Sequence, residues 1–445
     1  MSLPKVVQMN INASEKSVKF DTILVWVSIA SIFVSGLYVE TDYGILFFSY
    51  TLMILTYVPA VARTGTLGLR KGYGLFFASL AAVSYLGFFI SSFNYDIDIA
   101  RLASIAVKIA FLAFFTVYFT AVYNLCKRSS WNLFHRYLEV ALVFAVLGIL
   151  QELMFFILGF DLIGILSGGS KDYGSFLGVA GLSVEPAFYA CALLPAGAYY
   201  VSEFTRNFRF NLSGAIVVCA IIFSTSALGY IGLLISAVVT ILHSMRVRYI
   251  WMLVLTLPVI GFGVYKANQL DFIRMRVNDT LSLLAGAEPT MATGMNISSY
   301  SLAVNVSMSL RSIQDNYGFG TGFGTYSTVF DHYINDYEMP TYRDDFPGRG
   351  SATSLFARLT AEIGVAAWLF IFTFGCWGWR EIRQNYAPTM AIAYAATLCI
   401  ILLRMGEYYV NGVVLAFLMI YWIHLEGRRE RAGAKSAKGF ISTVG

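Results

Sequence analysis

Charge is what this chain has least of: Asp, Glu, Lys and Arg make up 13% of its 445 residues. A soluble domain carries about 25%, so a soluble globular protein is excluded. Also missing is the residue-by-residue alternation of apolar and polar side chains that an outer-membrane barrel needs. The apolar runs here are unbroken, and hydrophobic residues reach 58%. Cysteines are few. Cys191, Cys219, Cys376 and Cys399 fall within apolar runs and Cys126 beside Lys127 and Arg128. That is neither a disulfide framework nor a metal spacing, and small core hydrophobes are the expectation. No cleavable signal is expected, because Met1–Lys19 is polar and no small-residue cleavage site follows the first apolar run. No internal repeat stands out. The net charge of +5 comes from basic residues in short connections and at the C-terminus, so nucleic acid is not an expected partner. What remains is an all-α, polytopic integral membrane protein.

A bilayer core of about 30 Å takes about 20 apolar residues per helix. Twelve spans are predicted. Nine lie within residues 1–267: Thr22–Tyr38, Gly44–Ala62, Tyr73–Ile90, Leu102–Leu125, Tyr137–Phe160, Pro186–Ser202, Leu212–Phe223, Leu228–His243 and Tyr249–Val264. Three lie within 352–426: Ala352–Trp379, Pro388–Leu403 and Val413–His424. The pair around Ser224–Ala227 could also be one broken element. Basic residues alternate between connections. Arg63, Arg70 and Lys71, then Lys127, Arg128 and Arg136, then Arg206 and Arg209, then Arg246 and Arg248, then Arg380 and Arg383 mark one side. The positive-inside rule makes that side cytoplasmic, together with both termini and a solvated basic tail, 427–445. The Asp161–Glu185 connection and the stretch 268–351 then face outward.

That outer stretch is the informative one, because nothing about spanning a bilayer requires a loop so long, and surplus extramembrane chain is usually functional. It contains Asp315-Asn-Tyr-Gly-Phe-Gly-Thr-Gly-Phe-Gly324. Glycines at alternate positions let a ligand approach and leave backbone amides open. Arg311 ahead of them adds a guanidinium, which suits an anion such as a phosphate. A flexible surface turn is the ordinary alternative. The run lacks a Walker lysine.

From Arg311 onward the chain resembles the bacterial O-antigen ligase/polymerase superfamily. Arg311 and Gly322 fit its Arg-x10-Gly spacing, and Ser354-Leu-Phe-Ala-Arg-Leu-Thr-Ala-Glu-Ile-Gly364 resembles its Ala-Glu-hydrophobic-Gly helix. Gly181-Leu-Ser-Val-Glu-Pro-Ala-Phe-Tyr-Ala190 is similar to the Glu-Pro motif of O-antigen and exopolysaccharide repeat-unit polymerases (Wzy-type), and Phe223–Gly232 to the Ser/Thr-rich break after it. The ligase branch carries a His-Asn pair where Thr353 and Ser354 stand here, which favours a polymerase. An arginine that many members carry near Leu302 is also missing.

The resemblance implies an inner-membrane, metal-independent glycosyltransferase with no cofactor. Its substrates would be undecaprenyl-diphosphate-linked oligosaccharides in the bilayer, and its partners a chain-length-regulating co-polymerase and a flippase. The leaving diphosphate gains charge, which arginines in a dry pocket stabilise. Arg274, Arg276, Arg311, Arg343, Arg349 and Arg358 are the candidates, with Gly320 and Gly322 beside the phosphate. A carboxylate can take the acceptor proton. Glu185 is the first choice, with Asp344, Asp345 and His332 as further catalytic candidates. A helix N-cap is the ordinary reading of Glu185, and solvated surface positions of the other three. Charges within spans normally face a cavity or partner: Lys108, Glu139, Glu152, Glu362, Arg404 and Glu407. Glu362 is deep enough to need a partner, and Arg404 and Glu407 could pair at i, i+3, which is their ordinary reading. The rivals are an O-antigen ligase and, from another class, a secondary transporter or flippase. Transporters often show two similar halves, which this chain lacks.

Overall fold

The computed structural model describes residues 19–41, 44–95, 99–161, 163–167, 169–173, 176–244, 297–341, 346–384, 386–410 and 412–444, with Arg274 and Asn278 as isolated positions. The predicted span Tyr249–Val264, Arg276, and the Arg343-Asp344-Asp345 cluster lie outside the described residues.

The chain is mostly helical. Among the described residues four helices are long and apolar enough to cross a membrane: Gly72–Ser91, Ala100–Leu125, Ser130–Leu158 and Ala227–Ser244. In chain order, α1 covers 19–30, α2 Phe48–Thr64, α3 Lys71–Ser91, α4 Ala100–Leu125 and α5 Ser130–Leu158. Then come α6 Pro186–Asn207, α7 Leu212–Phe223 and α8 Ala227–Ser244. Next lie α9 Ile297–Asp315 and α10 Tyr326–Tyr333. The last four are α11 Leu355–Ile363, α12 Val365–Arg383, α13 Pro388–Arg404 and α14 Val413–Val444.

Several expected spans are remodelled. The first ends early: α1 gives way to a 3-10 turn at Ser31–Phe33, and the Gly36 amide bonds to Leu182 O at 2.7 Å. A Cβ at Gly36 would lie 2.7 Å from Ser183 O, so only glycine admits this crossing. Tyr38–Thr41 then pairs antiparallel with Gly44–Phe47, in what was expected to be the second span. The expected tenth span, Ala352–Trp379, is two helices broken at Gly364, whose φ of +62° and ψ of −142° suit glycine alone. The Ser224–Ala227 region is a real break: α7 stops at Ser224 and Thr225 adopts φ +53°. The basic tail is helical, since α14 continues from Val413 to Val444, and Arg428 and Arg429 on it are exposed.

Packing centres on α6, which lies against α8 and α13, while α12 and α14 also pack on α13 and on each other. Small residues at the contacts make this possible. A Cβ at Gly232 would meet the Leu194 side chain at 2.4 Å, and one at Gly197 would meet Ile221 at 2.5 Å. Small-residue contacts of this kind drive helix association in lipid. The described residues from Ile297 onward carry a second core of their own. Tyr300, Val304 and Met308 recur every four residues along α9 and bury against Val329, Phe330 and Tyr333 of α10 and Ala357 and Ala361 of α11. This part of the chain is therefore a packed cap rather than a loose loop.

Candidate functional site

The glycine run sits where this cap meets α11, and the contact explains the glycines. A Cβ at Gly320 would lie 2.2 Å from the Glu362 carbonyl carbon, and one at Gly364 would lie 2.2 Å from Gly318 O. The backbones are hydrogen-bonded along the contact. Thr321 N donates to Ala361 O at 2.9 Å, Gly322 N to Glu362 O at 2.8 Å and Val365 N to Gly318 O at 3.0 Å. The amides of Gly318 and Phe319 are used within the turn, by Ile313 O and Asn316 O. The expectation of open amides for a phosphate is thus corrected at these positions: the alternation serves close backbone approach.

Glu362 locks the arrangement. Its carboxylate accepts from Gly324 N at 2.7 Å, Tyr326 N at 3.3 Å, Arg358 Nε at 3.0 Å and the Tyr408 hydroxyl. Arg358 spends its Nη1 on Gly406 O (2.6 Å) and Glu407 (3.3 Å), and its guanidinium lies 4.3 Å from the Tyr408 ring centroid. Burial, then the Glu362 charge, pushes the Tyr408 phenol well up, so it remains a donor. Glu362 has the partner that its depth demanded. Glu407 pairs with Arg358 rather than Arg404, because α13 ends at Arg404 and the expected i, i+3 geometry does not exist there. Arg404 instead reaches Ser298 of α9.

A second cluster gathers Arg311, Asp315 and Asn316 with Tyr95 and α10. Arg311 binds Asp336 at 2.6 Å and stacks 4.9 Å over the Tyr333 ring. Asp336, its hydrogen-bond partner, raises the Arg311 pKa, so the guanidinium is charged throughout the physiological range. The Tyr333 hydroxyl donates to Asp315 and meets Tyr95 Oη at 2.9 Å. Asn316 ties this group to the glycine loop by donating to Tyr95 Oη at 3.0 Å. His332 packs its ring edge-to-face against Tyr95 and Tyr333, at 4.4 and 4.6 Å. The cluster is exposed at Arg311, Asp315 and His332 and dry beneath, at Tyr95, Ser312 and Asn316. Sequence reasoning missed Asp315, Tyr95 and Tyr333. Asp315 lay in view as the first residue of the glycine motif, four residues after Arg311 on one helix face.

The remaining candidates are scattered. Glu185 stands at the N-cap of α6 but its side chain caps nothing; it is about half exposed and lies 3.7 Å from Lys171 Nζ. Arg349 forms a two-bond pair with Asp331 of α10, at 2.7 and 3.1 Å. Arg274 is exposed. Ser354 caps α11 through Ala357 N and donates to Leu402 O. Among the described residues no group of His, Cys, Asp or Glu is placed to hold a metal.

No family model, curated protein or solved structure matches the chain.

Proposed function

We propose that the chain is an inner-membrane glycosyltransferase that polymerises lipid-linked oligosaccharide repeat units at the outer face of a twelve-span bundle, with both termini cytoplasmic. One observation carries the reading: two stretches that bear the resemblance, Arg311–Gly324 and Ser354–Gly364, are hydrogen-bonded to one another. They hold an exposed guanidinium, Arg311, four residues from an exposed carboxylate, Asp315. In the proposed reaction the acceptor hydroxyl attacks the anomeric carbon of the donor sugar. The bond from that carbon to the diphosphate oxygen breaks, and the lipid diphosphate leaves with the electron pair. Arg311 stabilises the leaving group, and a carboxylate takes the acceptor proton. Asp315 joins Glu185 as a candidate for that base. Arg358 and Glu362 act as positioning residues, since their hydrogen bonds are made within the protein.

Incubating the purified protein with its lipid-linked repeat tests the reading. A ladder of products is expected. Transfer to a lipid A core acceptor would make it a ligase, and neither product would favour a transporter.

A further inference from the structure

Lys108 lies in the long apolar helix α4, eight residues from Ala100, about 12 Å along the axis. A lysine at such depth is costly in lipid and ordinarily faces a partner or a cavity. Yet among the described residues no carboxylate or other acceptor takes its ammonium. Its stem is held in place. A Cβ at Gly324 would lie 2.5 Å from Lys108 Cγ, so the glycine loop rests on the side chain. The Lys108 carbonyl accepts from Tyr409 Oη at 2.8 Å, which fixes the helix at that turn.

What lies below Lys108 on the same stripe is apolar. Leu112 and Thr116, at i+4 and i+8, line a cavity of about 480 Å³. Its wall also includes Phe323, next to Gly324, and Tyr408, the ring under the Arg358 guanidinium. The volume is that of an ordinary small-ligand site. Its flank carries Leu369, 66% exposed, and Phe76, 38% exposed, so it opens on the apolar surface that meets lipid. A cationic head above an apolar, laterally open cavity complements an amphiphile with a phosphate head and a hydrocarbon tail.

We propose that Lys108 binds a phosphoryl oxygen of a polyprenyl diphosphate whose isoprenoid chain lies along this cavity. The inference rests on the glycosyltransferase reading for its choice of lipid. The glycine loop that packs on Lys108 continues to Asn316 and the Arg311–Asp315 cluster, so one loop connects the phosphate site with the exposed charged groups.

Binding to the full chain in nanodiscs tests the proposal, using undecaprenyl diphosphate, the uncharged polyprenol, and phosphatidylglycerol as competitor. Lys108→Gln is expected to weaken diphosphate binding about 10- to 100-fold, as for a lost charge-assisted hydrogen bond. Lys108→Arg should retain most of it, and polyprenol binding should not change. Equal diphosphate binding by wild type and Lys108→Gln overturns the proposal. So does displacement by phosphatidylglycerol at equal concentration, which would mark a general lipid groove. If Lys108→Gln does not fold, amine acylation of the wild type decides: undecaprenyl diphosphate must protect Lys108 and polyprenol must not, and equal labelling is contrary. A wild type that binds the diphosphate through Lys108 but forms no glycosidic bond would retain this site and reject the glycosyltransferase reading.

Discussion

At the scale of single residues, Arg311 separates a structural role from a chemical one. Its partners are an exposed carboxylate and a tyrosine ring. An exposed pair is worth about 0–1 kcal/mol and an exposed cation–π contact about 0.5–1 kcal/mol. Arg311→Ala should therefore melt within a few degrees of wild type. If the guanidinium meets the leaving diphosphate, the same change should lower the polymerisation rate about 30- to 1,000-fold, from a loss of about 2–4 kcal/mol. Arg311→Lys should rescue only in part, because an ammonium lacks the planar fork. An Arg311→Ala protein that folds and polymerises at the wild-type rate removes the assignment. Glu185 is read in the same way. Its side chain makes no capping bond, so neither Glu185→Gln nor Glu185→Ala should cost measurable stability. A base role makes the two variants similarly inactive. A fully active Glu185→Gln enzyme passes the base to Asp315, where Asp315→Asn is then the inactive variant.

At the scale of elements, the glycine loop and the break at Gly364 make one interlocked joint. Gly364 combines a left-handed φ with a contact that leaves no room for a Cβ. Gly364→Ala and Gly320→Ala should each destabilise by several kcal/mol, because either Cβ would meet backbone at 2.2 Å, and at Gly364 the strained φ adds about 1–3 kcal/mol. Gly350→Ala, which meets open space, is the control and should melt like wild type. Glu362→Gln removes the buried one of the two carboxylates that pair with Arg358 and leaves it only the partly exposed Glu407, a change that costs up to about 3–5 kcal/mol. Equal melting temperatures for all four proteins in detergent would contradict this view of the joint. The pattern of glycines was legible in the sequence; its use was not. Alternate glycines serve a ligand or a neighbouring backbone equally well, and only the position of α11 decides between them. The same holds for Glu362, whose need for a partner followed from its depth. Arg358 is a helical i, i+4 neighbour, but Tyr408 and the Gly324 amide come from segments distant in sequence. Apolar runs located most helices well. They failed at Tyr38–Phe47, where composition alone does not separate a short hairpin from a span, and at Ala352–Trp379, where one glycine divides what reads as a single span.

At the scale of the whole molecule, the account places the cap of α9 and α10 outside the membrane. The alternation of arginine and lysine between connections motivates that orientation. A reporter fused at Glu288 should be active only outside the cytoplasm, and cytoplasmic activity would remove the outer-leaflet mechanism altogether. The cap's own core, from Tyr300 through Phe330 to Ala361, gives such an orientation a purpose. In the proposed reading it holds Arg311 and Asp315 beside the membrane helices, where a membrane-anchored sugar donor and a growing acceptor would meet. Transport would need no bond to break; polymerisation releases one lipid diphosphate for each glycosidic bond formed. The most direct measurement uses the lipid-linked repeat labelled separately in its sugar and in its diphosphate, with purified protein as the only catalyst. The expected result is sugar label in a ladder of lengthening products and one free lipid diphosphate per added repeat, both formed about 30- to 1,000-fold more slowly by Arg311→Ala. Intact substrate that crosses the bilayer, with no diphosphate released, would contradict it.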